Sequence, residues 1–166
     1  MSRFDFGRIF HRRSEQDVQE TTEGKSGETP ERIAPDAGTT VLIVDDSKTI
    51  HLVLSRQLAA LGYECLSAYD GEEAIKVARE HKPALILMDV VMPVLNGFQA
   101  TREIRKDADP TVANIPVIIM SGNAQPTEEL WSVKIKANAF IAKPFGDDEL
   151  LSLMESLLYP MPTAAG

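Results

Sequence analysis

Residues 84–106 read ALILMDVVMPVLNGFQATREIRK, and the fold follows from how this stretch changes character along its length. It opens on ALILMD, a nearly continuous apolar run closed by Asp89. Such a run is expected of a strand in a parallel sheet, where both faces are covered and no polar alternation survives. A helical pattern follows from about Gly97 to Lys106. A strand leading into a helix is the repeating unit of an α/β domain.

The same unit recurs on either side. VLIVD (41–45), YECLSA (63–68), IPVIIMS (115–121) and AFIAK (139–143) read as further strands. Between them the apolar spacing is helical. Ile50, Val53, Leu54, Leu58 and Leu61 form one stripe, ended by Gly62. Ala74, Ile75 and Ala78 form a second after Asp70 and Gly71, and another helical segment is expected over about 126–137. The last helix begins at Asp147-Asp148-Glu149, acids suited to a helix N-terminus, and turns Leu150, Leu151, Met154, Leu157 and Leu158 inward. Five strands alternating with five helices predict a doubly wound, five-stranded parallel sheet.

That pattern occupies only part of the 166 residues. Residues 14–38 contain no Leu, Phe, Tyr, Trp or Met, and set Lys25 and Arg32 against seven acids. Burial there cannot offset the entropy of ordering the chain, so residues 1–38 are expected to be a disordered arm and linker. Residues 39–160 are expected to be the folded domain and 161–166 a short tail. The arm begins MSRFDFGRIFHRR, with Phe4, Phe6, Ile9 and Phe10 among four arginines. A frayed terminus is the favoured reading, and a docking or membrane-surface segment is the alternative.

Composition excludes several classes. A net charge of −8 opposes nonspecific binding to the nucleic-acid backbone. Cys65 is the sole cysteine, which leaves no intramolecular disulfide and no cysteine-based metal site. No apolar run is long enough for stable membrane insertion, so a cytoplasmic protein is expected.

In parallel α/β sheets, ligands sit beyond the carboxyl ends of the strands. Here the first strand ends in Asp45-Asp46, the third in Asp89, the fourth in Ser121 and the fifth in Lys143-Pro144. Three clustered carboxylates repel one another, and a hard divalent cation such as Mg²⁺ relieves this. A lysine and a hydroxyl opposite the cation complete a cradle for a phosphoryl group. The combination predicts a carboxylate nucleophile that forms an acyl phosphate.

Asp45-Asp46, MDVVMPVLNG with Asp89, Ser121, and Lys143-Pro144-Phe145 together resemble the receiver domain of bacterial two-component response regulators, over about residues 40–160. The resemblance implies a flavodoxin-like sheet of order 2-1-3-4-5 and a role for each residue. Asp89 is then the phosphoacceptor for a histidine kinase or phosphotransfer protein. Asp46, Asp89 and the Val91 backbone carbonyl would hold Mg²⁺ or Mn²⁺, with Asp45 acting mostly through water. Ser121 and Lys143 would contact the phosphoryl group, and Ser121 and Phe140 would form the switch. Val91 and Asn123 would flank the path of the hydrolytic water. A downstream effector would read the face built from the segment at 126–137, the fifth strand and the last helix. The stretch LMDVVMPVLNGFQATREIRKDA and Trp131 are also similar to stand-alone, chemotaxis-like receivers of type IV pilus twitching-motility pathways. With six residues after Pro160, a receiver without an output domain is expected.

Against the family pattern, Ser121 replaces a commoner threonine, Ala142 stands where threonine is frequent, and Lys136 stands where many members have glycine. Two rival functions are weaker. An aspartyl-nucleophile phosphohydrolase needs a general acid two residues after the nucleophile, and Val91 cannot transfer a proton. A docking-only receiver would not need the intact acids and lysine. A signalling switch, not a turnover enzyme, is the expectation. EGKSGE around Lys25 lacks the first glycine of a phosphate-binding loop and any preceding strand. His11, His51 and His81 have no metal-ligand spacing and read as surface or helix residues. Trp131 reads as either a packing residue or a partner contact.

Overall fold

The structure is a computed structural model that describes residues 32–122 and 133–160. Asn123, Trp131, most of the expected helical segment at 126–137, the arm through residue 31 and the tail at 161–166 lie outside the described residues. Five strands, β1 (Thr40–Val44), β2 (Glu64–Ala68), β3 (Leu85–Asp89), β4 (Val117–Ser121) and β5 (Ala139–Ala142), pair in parallel in the order β2-β1-β3-β4-β5. This is the doubly wound sheet that the apolar runs predict.

Among the described residues the helices are α1 (Lys48–Ala60), α2 (Gly71–His81), α3 (Gly97–Arg105), α4 (Pro110–Ala113) and α5 (Asp147–Leu158). Alternate residues of each central strand feed two separate cores. Val41, Ile43, Leu85, Leu87, Ile118 and Met120 pack with α1 and α5 on one face. Leu42, Val44, Ile86, Met88, Val117 and Ile119 pack with α2 and α3 on the other. Burying both faces explains why these strands are apolar throughout, since each such side chain contributes about 1.5–3 kcal/mol when removed from water.

Helix ends follow local chemistry. The Asp70 side chain accepts from the Glu73 N–H at the start of α2, and Asn96 and Gln99 form a reciprocal capping box at the start of α3. At the end of α1, Gly62 adopts φ 96°, donating to Ala59 while Tyr63 donates to Leu58, as the glycine stop predicts.

Two expectations need correction. Of the expected α1 stripe, Leu54 and Leu58 are buried and Ile50 and Leu61 pack partly buried against the core, whereas Val53 is 46% exposed and His51 is buried instead. The His51 ring can be buried because it finds hydrogen-bond partners in the Asp45 backbone oxygen and Ser67 Oγ. Residues 110–113, with no element expected, form α4: the Asp109 side chain accepts from the Thr111 N–H, and Pro110 opens the helix without a wasted donor. An Asp-Pro pair was the available signal.

Arg105 binds the far edge of the sheet together. Its Nε donates to the Lys136 carbonyl at 2.8 Å, one terminal nitrogen to the carbonyls of Ala113 and Ile115 at 2.9 Å, and the other to Asn138 Oδ1 at 2.7 Å. Burial lowers the guanidinium pKa from its ordinary value. Lys136, where a glycine is frequent, keeps the left-handed backbone a glycine would favour, at φ 61°.

Gly97 opens α3 against the strand that bears Asp89, and a methyl built on it would overlap the Asp89 carbonyl oxygen. Gly97→Ala is therefore expected to lower stability by about 1–3 kcal/mol, seen as a lower Tm by circular dichroism. At Gly122 an added methyl meets nothing within 4 Å, so Gly122→Ala is expected to leave Tm nearly unchanged.

Candidate functional site

The sheet register assembles the predicted residues. Val44 pairs with Met88, so the next residues, Asp45 and Asp89, leave neighbouring strands side by side. Asp89 pairs with Met120, and Ser121 with Ala142, which carries Ser121 and Lys143 to the same edge. Crossovers depart from this edge in opposite directions, which opens a crevice beyond the strands.

Asp45, Asp89 and Ser121 are buried, while Asp46 is exposed at the rim. Ligand oxygens of Asp45, Asp46 and Asp89 all lie within 4.8 Å of one another. Opposite oxygens around a Mg²⁺ ion with ideal bond lengths are about 4.2 Å apart, so a small contraction would bring this set to one cation. Lys143 Nζ donates to Asp45 Oδ2 at 2.8 Å and to Asp89 Oδ1 at 3.1 Å. Three carboxylates against one ammonium leave two negative charges, which a divalent cation would balance. The donor set is all hard oxygen and fits such an ion.

The electrostatics are those of a crowded acidic site. Burial pushes the Asp89 carboxyl pKa above the ordinary range, opposed by the Lys143 hydrogen bond and charge, while the Asp45 charge adds to the rise. For Lys143, burial alone would lower the ammonium pKa. The hydrogen bonds and charges of Asp45 and Asp89 together outweigh it and raise the pKa.

Asp45 Oδ1 accepts from the Ser47 N–H at 2.9 Å, and Ser47 Oγ accepts from the Ile50 N–H at the start of α1. Val91 is 66% exposed, two residues beyond Asp89. Val94 is exposed at φ 66°, a conformation costly for a β-branched residue. Phe140 is partly buried against the core that contains α2 and α3. Beside Lys143, a groove of about 410 Å³ is lined by Ile50, Val53, Leu54 and Phe145 among others.

One residue near the site was not singled out by spacing. His51, in α1, has Nε2 2.8 Å from the Asp45 backbone oxygen and Nδ1 3.1 Å from Ser67 Oγ. Its signal was the register with Leu54 and Leu58, three and seven residues on, rather than any motif.

Comparison with known proteins agrees with this geometry. A family model described as the response regulator receiver domain matches residues 41–155. The protein PilH of Pseudomonas aeruginosa is 41% identical over 118 residues, 71% of this chain and 96% of that protein. A probable transcriptional regulator, ycf27, of Pyropia yezoensis is 34% identical over 71% of this chain, which spans only 46% of that longer protein. Among solved structures, the chemotaxis response regulator CheY4 of Vibrio cholerae has a TM-score of 0.67 at 30% identity, covering 74% of this chain and all (100%) of that one. A receiver domain from a Pseudomonas aeruginosa sensor histidine kinase, solved with magnesium coordinated in its active site cleft, has a TM-score of 0.66 at 33% identity. That match covers 74% of this chain and 98% of the other.

A raised carboxyl pKa means that the ionised Asp89 opposes folding. Its contribution is most favourable below the ordinary carboxylate range and is lost as pH climbs through the folded-state pKa. Asp89→Asn is neutral and nearly isosteric, so in EDTA at neutral pH it is expected to raise Tm above wild type. The difference is expected to shrink as the pH is lowered toward 4. Thermal melts across that range check both directions.

Proposed function

The chain belongs to the response regulator receiver domain family, and from that premise we propose that it is a phosphorylation-dependent switch whose phosphoacceptor is Asp89. The observation that carries this reading is the Lys143 ammonium bridging Asp45 and Asp89 beside the clustered oxygens of Asp45, Asp46 and Asp89. The domain proper is proposed to span residues 39–160.

An Asp89 carboxylate oxygen attacks the phosphorus of a phosphohistidine. The new O–P bond forms as the N–P bond breaks, and the imidazole leaves. Mg²⁺ or Mn²⁺, held by Asp46, Asp89 and the Val91 carbonyl, with Asp45 acting mostly through water, would offset charge on the phosphoryl oxygens. Lys143 releases Asp89 Oδ1 and turns to a phosphoryl oxygen, compensating the charge that develops in transfer. Ser121 donates its hydroxyl to another phosphoryl oxygen. Phe140, partly buried on β5, follows Ser121 inward and alters the face that an effector reads, formed by β5, α5 and the segment preceding β5.

The donor is a histidine kinase or phosphotransfer protein. The groove between α1 and the start of α5 supports this, because Lys143 lies in its wall and a helix seated on Ile50, Val53 and Phe145 would be delivered beside Asp89. A net charge of −8 argues against a nucleic-acid target. A cytoplasmic setting is part of the proposal; among the described residues no helix is long and apolar enough to cross a membrane. The phosphohydrolase reading finds no support, because the exposed Val91 offers no acid two residues after Asp89.

Acetyl phosphate with Mg²⁺ is expected to add one phosphoryl group to wild type and none to Asp89→Asn by intact mass. An adduct persisting on Asp89→Asn would remove the assignment. The phosphoryl group is also expected to be long-lived, because Val91 crowds the path of an in-line water and offers it no hydrogen bond. Combining Val91→Asn with Asn123→Glu is expected to shorten the dephosphorylation half-life severalfold in purified protein with Mg²⁺. Equal half-lives would show that these two positions do not set the lifetime.

A further inference from the structure

His51 is 5% exposed and is held on three sides. Nε2 meets the Asp45 backbone oxygen at 2.8 Å, Nδ1 meets Ser67 Oγ at 3.1 Å, and the ring lies 4.5 Å from that of Tyr69. A carbonyl oxygen can only accept, so Nε2 carries the proton in the first bond. In the neutral ring Nδ1 then accepts from the Ser67 hydroxyl. Ser67 lies on β2, Asp45 follows β1, and His51 sits on α1, so one imidazole ties together the three elements around the acid pair.

The bond to Asp45 falls on a critical peptide. β1 ends at Val44, and the Asp45 carbonyl belongs to the peptide that leads into Asp46. Rotation of that peptide would swing the exposed Asp46 carboxylate relative to Asp45 and Asp89. On its far side the chain is fixed by the Ser47 N–H, which donates to Asp45 Oδ1 at 2.9 Å. Without His51, the Asp45 carbonyl would lose a buried hydrogen bond and would gain freedom to turn.

We propose that His51 is a positioning residue for cation binding: its hydrogen bond to the Asp45 carbonyl orients the Asp45–Asp46 peptide so that the Asp46 carboxylate faces the cation. The inference rests on the reading of Asp45, Asp46 and Asp89 as a Mg²⁺ site. It assigns to the chain a residue that touches no cation and still governs affinity, as partners of metal ligands commonly do.

The test is calorimetric titration of Mg²⁺ into the full chain for wild type, His51→Leu, His51→Gln and Ser67→Ala, alongside thermal melts in EDTA. Leucine fills much of the same apolar space but cannot donate, and glutamine can place an amide N–H toward the same carbonyl. His51→Leu is expected to weaken Mg²⁺ binding by about tenfold and, by leaving the buried Asp45 carbonyl without its donor, to lower the Tm in EDTA as well. His51→Gln is expected to recover most of the lost affinity, and Ser67→Ala, which frees Nδ1, to show a smaller loss. Wild-type affinity in His51→Leu, or affinities that follow Tm rather than the presence of a donor at residue 51, would overturn the proposal. If wild type itself binds no Mg²⁺, the metal-site reading falls first and this inference with it.

Discussion

Lys143 is the cation on which the acidic edge of the sheet depends. Neighbouring parallel strands deliver Asp45 and Asp89 to the same place, and a pair of buried carboxylates there would repel each other in a medium that screens poorly. The ammonium at 2.8 and 3.1 Å from the two makes the arrangement tolerable without making it comfortable. Burial still holds the Asp89 carboxyl above its ordinary pKa. The domain thus keeps an acidic site that is only partly compensated, and the remaining negative charge is what a divalent cation would balance. Chemistry and instability have the same source here.

The surrounding fold limits how that tension can relax. Gly97 leaves no room between α3 and the Asp89 carbonyl, so the strand end cannot retreat toward the helix. Asp45 is pinned through both its carboxylate and its carbonyl, by Ser47 and His51 respectively. Charge strain at the site is therefore confined to side chains with freedom to move, chiefly Lys143 and the exposed Asp46.

Much of this was legible in the sequence because the strongest constraints act on residue type. Strands buried on both faces must be apolar, so ALILMD and VIIMS declared themselves, and a polar residue closing such a run stood out against it. The acids, serine and lysine were legible for the same reason. Less visible were features set by geometry rather than composition. Val53 fits the helical stripe by type yet lies exposed, while His51 is buried because Asp45, just after β1, and Ser67 on β2 supply its ring with hydrogen-bond partners. Lys136 and Val94 occupy left-handed backbone that their residue types do not advertise. Arg105 looks like one more surface cation until its acceptors, which lie up to 33 residues away in the chain, are assembled around it.

That guanidinium has a consequence for how the domain can change over generations. Its acceptors come from the end of α4, the approach to β4 and the approach to β5, and one of them, Asn138 Oδ1, also accepts from the Val117 N–H at the start of β4. Adding or deleting a residue in any one of these connections would move its oxygen out of the planar fork and leave the other partners competing for a misplaced donor. A lysine could not substitute, because one tetrahedral ammonium does not span such a set. Loop length at this edge is thus tied across connections that are distant in sequence, and insertions there are disfavoured jointly rather than one at a time.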